Sequence, residues 1–275
     1  MAAAVWVDGA LVEPDRAVVS AFDHGLTVGD GVFETLRVSG GVPFAVRRHL
    51  DRLDASAARL GLDVPRRGVL EGAVAQVLAK AGLAEARLRI TVTGGPAPLG
   101  SGRGTSGPTV VVALAALEPV PATAEVAVVP WTRNERSAVA GAKTTSYAEN
   151  VVALAYARRL GASEAIFANT RGELCEGTGS NVVVGTGGRL VTPPLSSGCL
   201  AGVTRALVLE CCDVEEAVLP LDALAEAGEA FLTSTTREVQ PISTVDGRRL
   251  PAIPGPLTTA AVANFADLVA SNPDP

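Results

Sequence analysis

The chain has 275 residues, 48% of them hydrophobic and 19% charged, and a formal net charge of -6 at pH 7. That length suits two domains of ordinary size. No segment gathers the basic residues into a stripe, which argues against nucleic acid, and no apolar run is long enough to cross a bilayer, so small molecules are the expected partners.

The start, Met1-Ala-Ala-Ala-Val-Trp-Val-Asp-Gly9, lacks the basic and apolar regions of a secretory signal. Residues 4–7 read instead as a strand ending in an Asp8-Gly9 turn. Strands over 35–39 and 42–46 meet at Gly40-Gly41 as a hairpin. From Arg47 to Leu60, Leu50, Leu53, Ala57 and Leu60 recur at helical spacing, with Gly61 as a stop. A second helix spans roughly 66–81. Apolar runs from Leu88 to Thr93 and from Thr109 to Leu114 read as buried strands, and they flank a segment too rich in Gly and Pro for regular structure. A loop that long is usually functional or disordered.

Glu118-Pro-Val-Pro-Ala-Thr123 reads as a linker, with strand pattern resuming at Val126. The expected division is therefore a first domain over 1–117, a linker over 118–124 and a second domain over 125–275. In the second domain a helix is expected over 146–160, turns at Asn169–Gly172 and Gly187-Gly188, a helix over 203–212 and a short helix near Leu221. Strands follow around 229–234 and 239–245, then a frayed tail from Ser271. No internal repeat is evident.

Cys175, Cys199, Cys211 and Cys212 show neither metal-ligand spacing nor a secreted disulfide framework, so no metal is expected and a reducing cytoplasm fits. Adjacent Cys211 and Cys212 suit a redox pair or, more simply, two small apolar helix residues. Of the 23 lysines and arginines only Lys80 and Lys143 are lysines. A lysine that persists where arginine is the habit is one whose amine is needed, because only lysine forms an imine. Lys80 has a simpler explanation near a helix C-terminus.

Lys143 ends the small, apolar stretch Ser137-Ala-Val-Ala-Gly-Ala-Lys143, which would desolvate the amine and favour its neutral form. Glu176 lies in Glu173-Leu-Cys-Glu-Gly-Thr-Gly-Ser-Asn181, where two glycines allow a planar ligand close to the backbone. Alone, that segment reads rather as a turn between two strands with a solvated acid. Gly202-Val203-Thr204-Arg205 opens a helix, and its free amides suit a phosphate. Thr233-Ser-Thr-Thr-Arg237 offers further hydroxyls. An imine-forming lysine, an acid for a ring nitrogen and a phosphate grip together meet the needs of pyridoxal 5'-phosphate (PLP).

In that order these residues resemble the class IV aminotransferase family, PLP fold type IV. That family includes branched-chain aminotransferases, D-amino-acid transaminases, R-selective amine transaminases and 4-amino-4-deoxychorismate lyases. The similarity runs from Val7-Asp8-Gly9 to about Gly247, with anchors at Phe22 to Arg37, Arg48-His-Leu-Asp-Arg-Leu53, Lys143-Thr-Thr-Ser-Tyr147, Glu176-Gly-Thr-Gly-Ser-Asn181, Gly202-Val-Thr-Arg205 and Ser234-Thr-Thr236. It implies an α+β fold, with a small N-terminal α/β domain and a larger β-rich cofactor domain. It also implies a homodimer with the site between the domains and part of the pocket supplied by the second subunit.

Carried over by position, the resemblance makes Lys143 the Schiff-base lysine and Glu176 the partner of the pyridine nitrogen. Arg52, Val203, Thr204 and Thr236 would hold the phosphate, Tyr147 would lie near the phenolic oxygen, and Phe33 would form a pocket wall. By themselves Phe33 and Glu34 read as core and surface residues of a strand, His49 as a helix-packing residue and Asp30 as structural.

Transamination between an amino acid or amine and a 2-oxo acid is the preferred reading, as the commoner activity in the family. Release of pyruvate and 4-aminobenzoate from aminodeoxychorismate is the alternative. Leu99, Phe33 and Val28 stand where relatives carry carboxylate-binding or tyrosine residues. Arg103, Arg89 and Arg133 are the candidate replacements, and Arg103 is favoured because a mobile loop would carry it.

Overall fold

Leu88, Ile90 and Val92 alternate with Arg87, Arg89 and Thr91, a period of two that buries one face of a strand. A computed structural model describing residues 2–275 places that strand inside an antiparallel sheet. The chain divides into two units. One holds the chain as far as Pro119 with Ala142–Tyr147 and Asp274, and the other holds Val120–Gly141, Ala148–Pro273 and Pro275.

The first unit contains β1 (Ala2–Val7), β2 (Ala10–Val12), α1 (His24–Thr27), β3 (Gly31–Ser39), β4 (Val42–Pro43), α2 (Val46–Leu60), α3 (Arg67–Ala81), β5 (Ala86–Thr93) and β6 (Thr109–Ala116). Its sheet runs β2-β1-β6-β5-β3-β4. Leu36, Val38, Leu88, Ile90 and Val112 pack against Leu50, Leu53 and Ala57 of α2 and Leu70, Val74 and Val77 of α3. Gly61 and Gly82 close the two long helices in the left-handed conformation. The Gly40-Gly41 hairpin forms as expected, with Ser39 opposite Val42. The strand expected over 42–46 is cut short, however: Ala45 turns left-handed and Val46 begins α2.

Because β4 covers only Val38 and Ser39, the opening half of β3 keeps an unpaired edge. Ala142–Tyr147 fills it. Phe33 N donates to Lys143 O at 3.0 Å, Thr145 N donates to Gly31 O at 2.8 Å, and Thr144 bridges Val32. The sequence division assigned these residues to the second domain; backbone hydrogen bonding groups them with the first.

The second unit contains β7 (Ala124–Arg133), α4 (Ala148–Arg159), β8 (Glu164–Asn169), β9 (Leu174–Gly177), β10 (Asn181–Thr186), β11 (Arg189–Thr192), α5 (Val203–Cys211), β12 (Val214–Glu216), β13 (Glu229–Ser234), β14 (Glu238–Val245), β15 (Arg248–Arg249) and α6 (Pro256–Ser271). Its sheet runs β12-β11-β10-β13-β14-β7-β8-β9, with β15 beside β14. Pairings β11–β12, β14–β7 and β7–β8 are parallel and the rest antiparallel, giving a mixed sheet. Ile166, Leu174, Val182, Val184, Leu232 and Ile242 form its main core.

Helix α6 has no counterpart in the sequence reading. Pro256 stands in its first turn, and the Glu229 carboxylate accepts from Thr258 N at 2.6 Å and Leu257 N at 3.3 Å, closing amides that α6 cannot satisfy itself. Among the described residues no helix is long and apolar enough to cross a membrane, and no group of three or more His, Cys, Asp or Glu is arranged to hold a metal.

Candidate functional site

Lys143 owes its place to three anchors in the first unit. Its carbonyl accepts from Phe33 N, its own N–H donates to Ser56 Oγ at 3.1 Å, and its Nζ lies 4.2 Å from the centre of the Phe33 ring. Phe33 is buried and meets Tyr147 edge-on at 5.2 Å, and the Lys143 Nζ is 5.6 Å from the Tyr147 ring. Amine, phenol and aromatic ring are thus gathered in one place. The Arg89 guanidinium also stacks on Phe33, at 3.7 Å.

Beneath them lies a polar network that the sequence reading missed. Glu34, expected at the surface, is completely buried. Its two oxygens accept from Arg52 Nε at 2.8 Å and Arg52 Nη2 at 2.7 Å, and His49 Nδ1 lies 2.6 Å from Oε2. Burial alone would push the Glu34 carboxyl up; Arg52 and His49 outweigh it and hold the group at about 2. Burial pushes His49 down, so it is a neutral imidazole donating Nδ1–H to an ionised Glu34. The network orients the Arg52 head group. Its signal was the i, i+3 spacing of His49 and Arg52 on a helix facing a strand acid.

Arg103, the residue expected to meet a substrate carboxylate, is engaged within the chain: Nε and Nη2 donate to the two Asp30 oxygens at 2.7 and 2.6 Å, Nη2 also donates to Leu60 O at 2.9 Å, and Nη1 donates to Gly61 O. The last carbonyls of α2 are orphaned acceptors, and a guanidinium satisfies several at once. Arg103 is a clamp pinning the Gly-rich loop to the end of α2. Arg133 is similarly engaged in the second unit. Arg89 differs: its Nε donates to Thr91 Oγ1 at 3.1 Å, and it has no carboxylate partner among the described residues.

In the second unit Glu176, next to last in β9, has both oxygens engaged. Leu200 N donates to Oε2 at 2.9 Å, and Arg133 Nε lies 3.2 Å from Oε1. Arg133 also bonds Glu149 and donates to Asn150 Oδ1 at 2.8 Å, while its guanidinium stacks on Phe167 at 4.3 Å. The acid is therefore largely shielded from solvent and engaged at both oxygens. Helix α5 opens at Gly202 with no side-chain cap, although Val203, Thr204 and Arg205 are buried. A Cβ on Gly202 would stand 2.1 Å from Asn181 Oδ1, so any larger residue there forces that side chain or the start of α5 to shift. In β13 the buried Thr233 Oγ1 and Ser234 Oγ find no hydrogen-bond partner among the described residues, and Thr236 lies in the turn that follows.

Uncapped buried amides and unsatisfied buried hydroxyls are costly unless an acceptor completes them. A phosphate supplies many acceptor oxygens and favours a helix N-terminus. With an oriented carboxylate for a ring nitrogen, the donor set of the second unit fits PLP.

The family model described as Amino-transferase class IV matches residues 31–245. The chain is 32% identical to the bifunctional aminodeoxychorismate lyase / D-amino acid transaminase of Mycobacterium tuberculosis, covering 91% of this chain and 93% of that protein. It is 31% identical to the D-alanine aminotransferase of Bacillus licheniformis, over 92% and 93% of the two chains. The T.th. branched-chain amino acid aminotransferase complexed with N-(5'-phosphopyridoxyl)-L-glutamate superposes with a TM-score of 0.90 at 26% identity, over 100% of this chain and 96% of that one.

Proposed function

Because the chain belongs to the class IV aminotransferase family and works with PLP, we propose that it transfers an amino group between an amino acid, or an amine, and a 2-oxo acid. Lys143 carries this reading. It is a half-buried amine on an aromatic wall with its peptide held on both sides, whereas Lys80 is an exposed partner of Glu13.

Lys143, Arg52, Tyr147, Val203, Thr204 and Thr236 hold the cofactor, and Glu176 serves its ring nitrogen. Bound PLP supplies an electron sink for the pair left on the substrate α-carbon. Lys143 Nζ would take the α-proton of the substrate as general base. Phe33 keeps water from that amine. Glu176, braced by Arg133 and the Leu200 N–H, presents its carboxylate in one orientation without reorganising during turnover. Arg89 receives the substrate carboxylate, with Phe33 setting the plane of its guanidinium.

Release of pyruvate and 4-aminobenzoate from 4-amino-4-deoxychorismate is the second reading, favoured by the similarity to a bifunctional lyase and transaminase. The enzyme is incubated with that compound alone and, separately, with D-alanine or branched-chain amino acids plus 2-oxoglutarate. Amino transfer in the second set supports the first reading. Pyruvate and 4-aminobenzoate released without an amino acceptor, together with no amino transfer, overturn it.

The enzyme acts as a cytoplasmic homodimer. Phe22, Leu26 and Leu99 are 55%, 70% and 76% exposed, and Ala97 N donates to Phe22 O, drawing their segments together. An apolar surface of this kind supports burial against a second copy. Sedimentation at a monomer's mass would contradict it. Four unpaired cysteines support a reducing compartment.

A further inference from the structure

Glu164 opens β8, a strand whose every residue is buried, and is itself 0% exposed. A carboxylate in such a place costs several kcal/mol of desolvation unless its oxygens are fully engaged. They are. Oε1 accepts from Ala165 N at 3.0 Å, from Thr178 N at 3.1 Å and from Thr178 Oγ1. Oε2 accepts from Ser180 Oγ at 3.2 Å and from Arg237 Nη2 at 2.7 Å.

Apart from Ala165 N, which belongs to β8 itself, these donors come from two turns. Thr178 and Ser180 form the turn directly after Glu176, closed by Gly177 N donating to Ser180 O at 2.8 Å and by Asn150 Nδ2 donating to Thr178 O at 2.8 Å. The turn sits tight on the carboxylate, since a Cβ on Gly177 would stand 2.4 Å from Ser180 Oγ and 3.3 Å from Glu164 Cδ. Arg237 belongs to the other turn, immediately after Thr236, where its N–H donates to Ser234 O at 3.3 Å. Strands β10 and β13 pair Asn181 with Thr233, so the ladder aligns the strands that border both turns. The ladder does not reach the turn tips.

We propose that Glu164 and Arg237 form a positioning pair that locks the Glu176 turn to the Thr236 turn and so fixes the spacing between the cofactor's ring-nitrogen and phosphate anchors. The pair rests on the assignment of Glu176 and Thr236 to PLP. Glu164 holds both turns, while Arg237 holds only the phosphate side, so the two residues have different signatures.

The test is equilibrium titration of apo-protein with PLP and, separately, with pyridoxal, which lacks the phosphate. Arg237→Met is expected to weaken PLP about 10- to 100-fold, the range for losing a charge-assisted hydrogen bond, while pyridoxal affinity stays within about twofold. Glu164→Gln is expected to weaken both ligands. If Glu164→Gln does not fold, Arg237→Met alone decides. The pair is overturned if Arg237→Met leaves PLP affinity unchanged, or if it weakens pyridoxal as much as PLP, the mark of general damage. Wild-type protein that fails to retain PLP after borohydride reduction would instead overturn the cofactor assignment.

Discussion

Replacing Glu34 by Gln removes the one buried charge that Arg52 and His49 share. Each tenfold change in proton affinity between folded and unfolded chain is worth about 1.4 kcal/mol. A carboxyl held at about 2 against an ordinary 4.5 therefore contributes about 3 kcal/mol at neutral pH. Breaking a buried pair by removing one partner typically costs about 3 to 5 kcal/mol, which agrees. The Glu34 pKa is depressed on folding, so its contribution is complete above pH 4.5 and fades as pH falls toward 2. Glu34→Gln should then be about 3 kcal/mol less stable than wild type at pH 7, with the gap narrowing below pH 4.5. Trp6 lies in the core of the first unit and Trp131 is half exposed in the second. Urea unfolding followed by Trp6 fluorescence in a Trp131→Phe background therefore reads the relevant unit. A gap below about 1 kcal/mol at pH 7, or one that stays constant from pH 6 to pH 3, would refute this account of the network.

Arg103→Ala should release the loop over 94–107. Faster amide exchange and proteolysis there are expected, with substrate KM changed less than about threefold because the side chain is a clamp; a large rise in KM alone would restore Arg103 as a carboxylate ligand. Arg89→Leu should raise KM for 2-oxo acids about tenfold or more, and an unchanged KM would remove Arg89 from the substrate site. Gly202→Ala should weaken PLP binding by displacing the start of α5, since the new methyl would overlap Asn181 Oδ1. Unaltered PLP affinity would show that the α5 amides do not grip the phosphate.

Much of the fold was legible because local pattern and tertiary packing agree. The 50, 53, 57 and 60 spacing on α2 and the Gly40-Gly41 turn each point to one local structure. Helix α6 escaped because its start depends on a distant acid, Glu229. The pairing of residues 143–145 with β3 was hidden for the same reason: it needs a strand edge that β4 leaves bare. Glu34 and Glu164 show what a pattern of apolar residues cannot reveal, since a carboxylate is tolerated in a core only when donors from other elements converge on it. The internal partners of Arg103 were hidden because a Gly-rich loop suggests freedom, and the geometry of its guanidinium is visible only once Asp30 and the end of α2 stand beside it.

Everything turns on whether the Lys143 amine is the group that binds the cofactor covalently. Borohydride reduction of the PLP-loaded enzyme, followed by digestion and mass spectrometry, should find one phosphopyridoxyl group on the peptide containing Lys143 and none on the peptide containing Lys80. Lys143→Ala should lose both the adduct and turnover. A phosphopyridoxyl group elsewhere, or turnover retained by Lys143→Ala, would contradict the assignment.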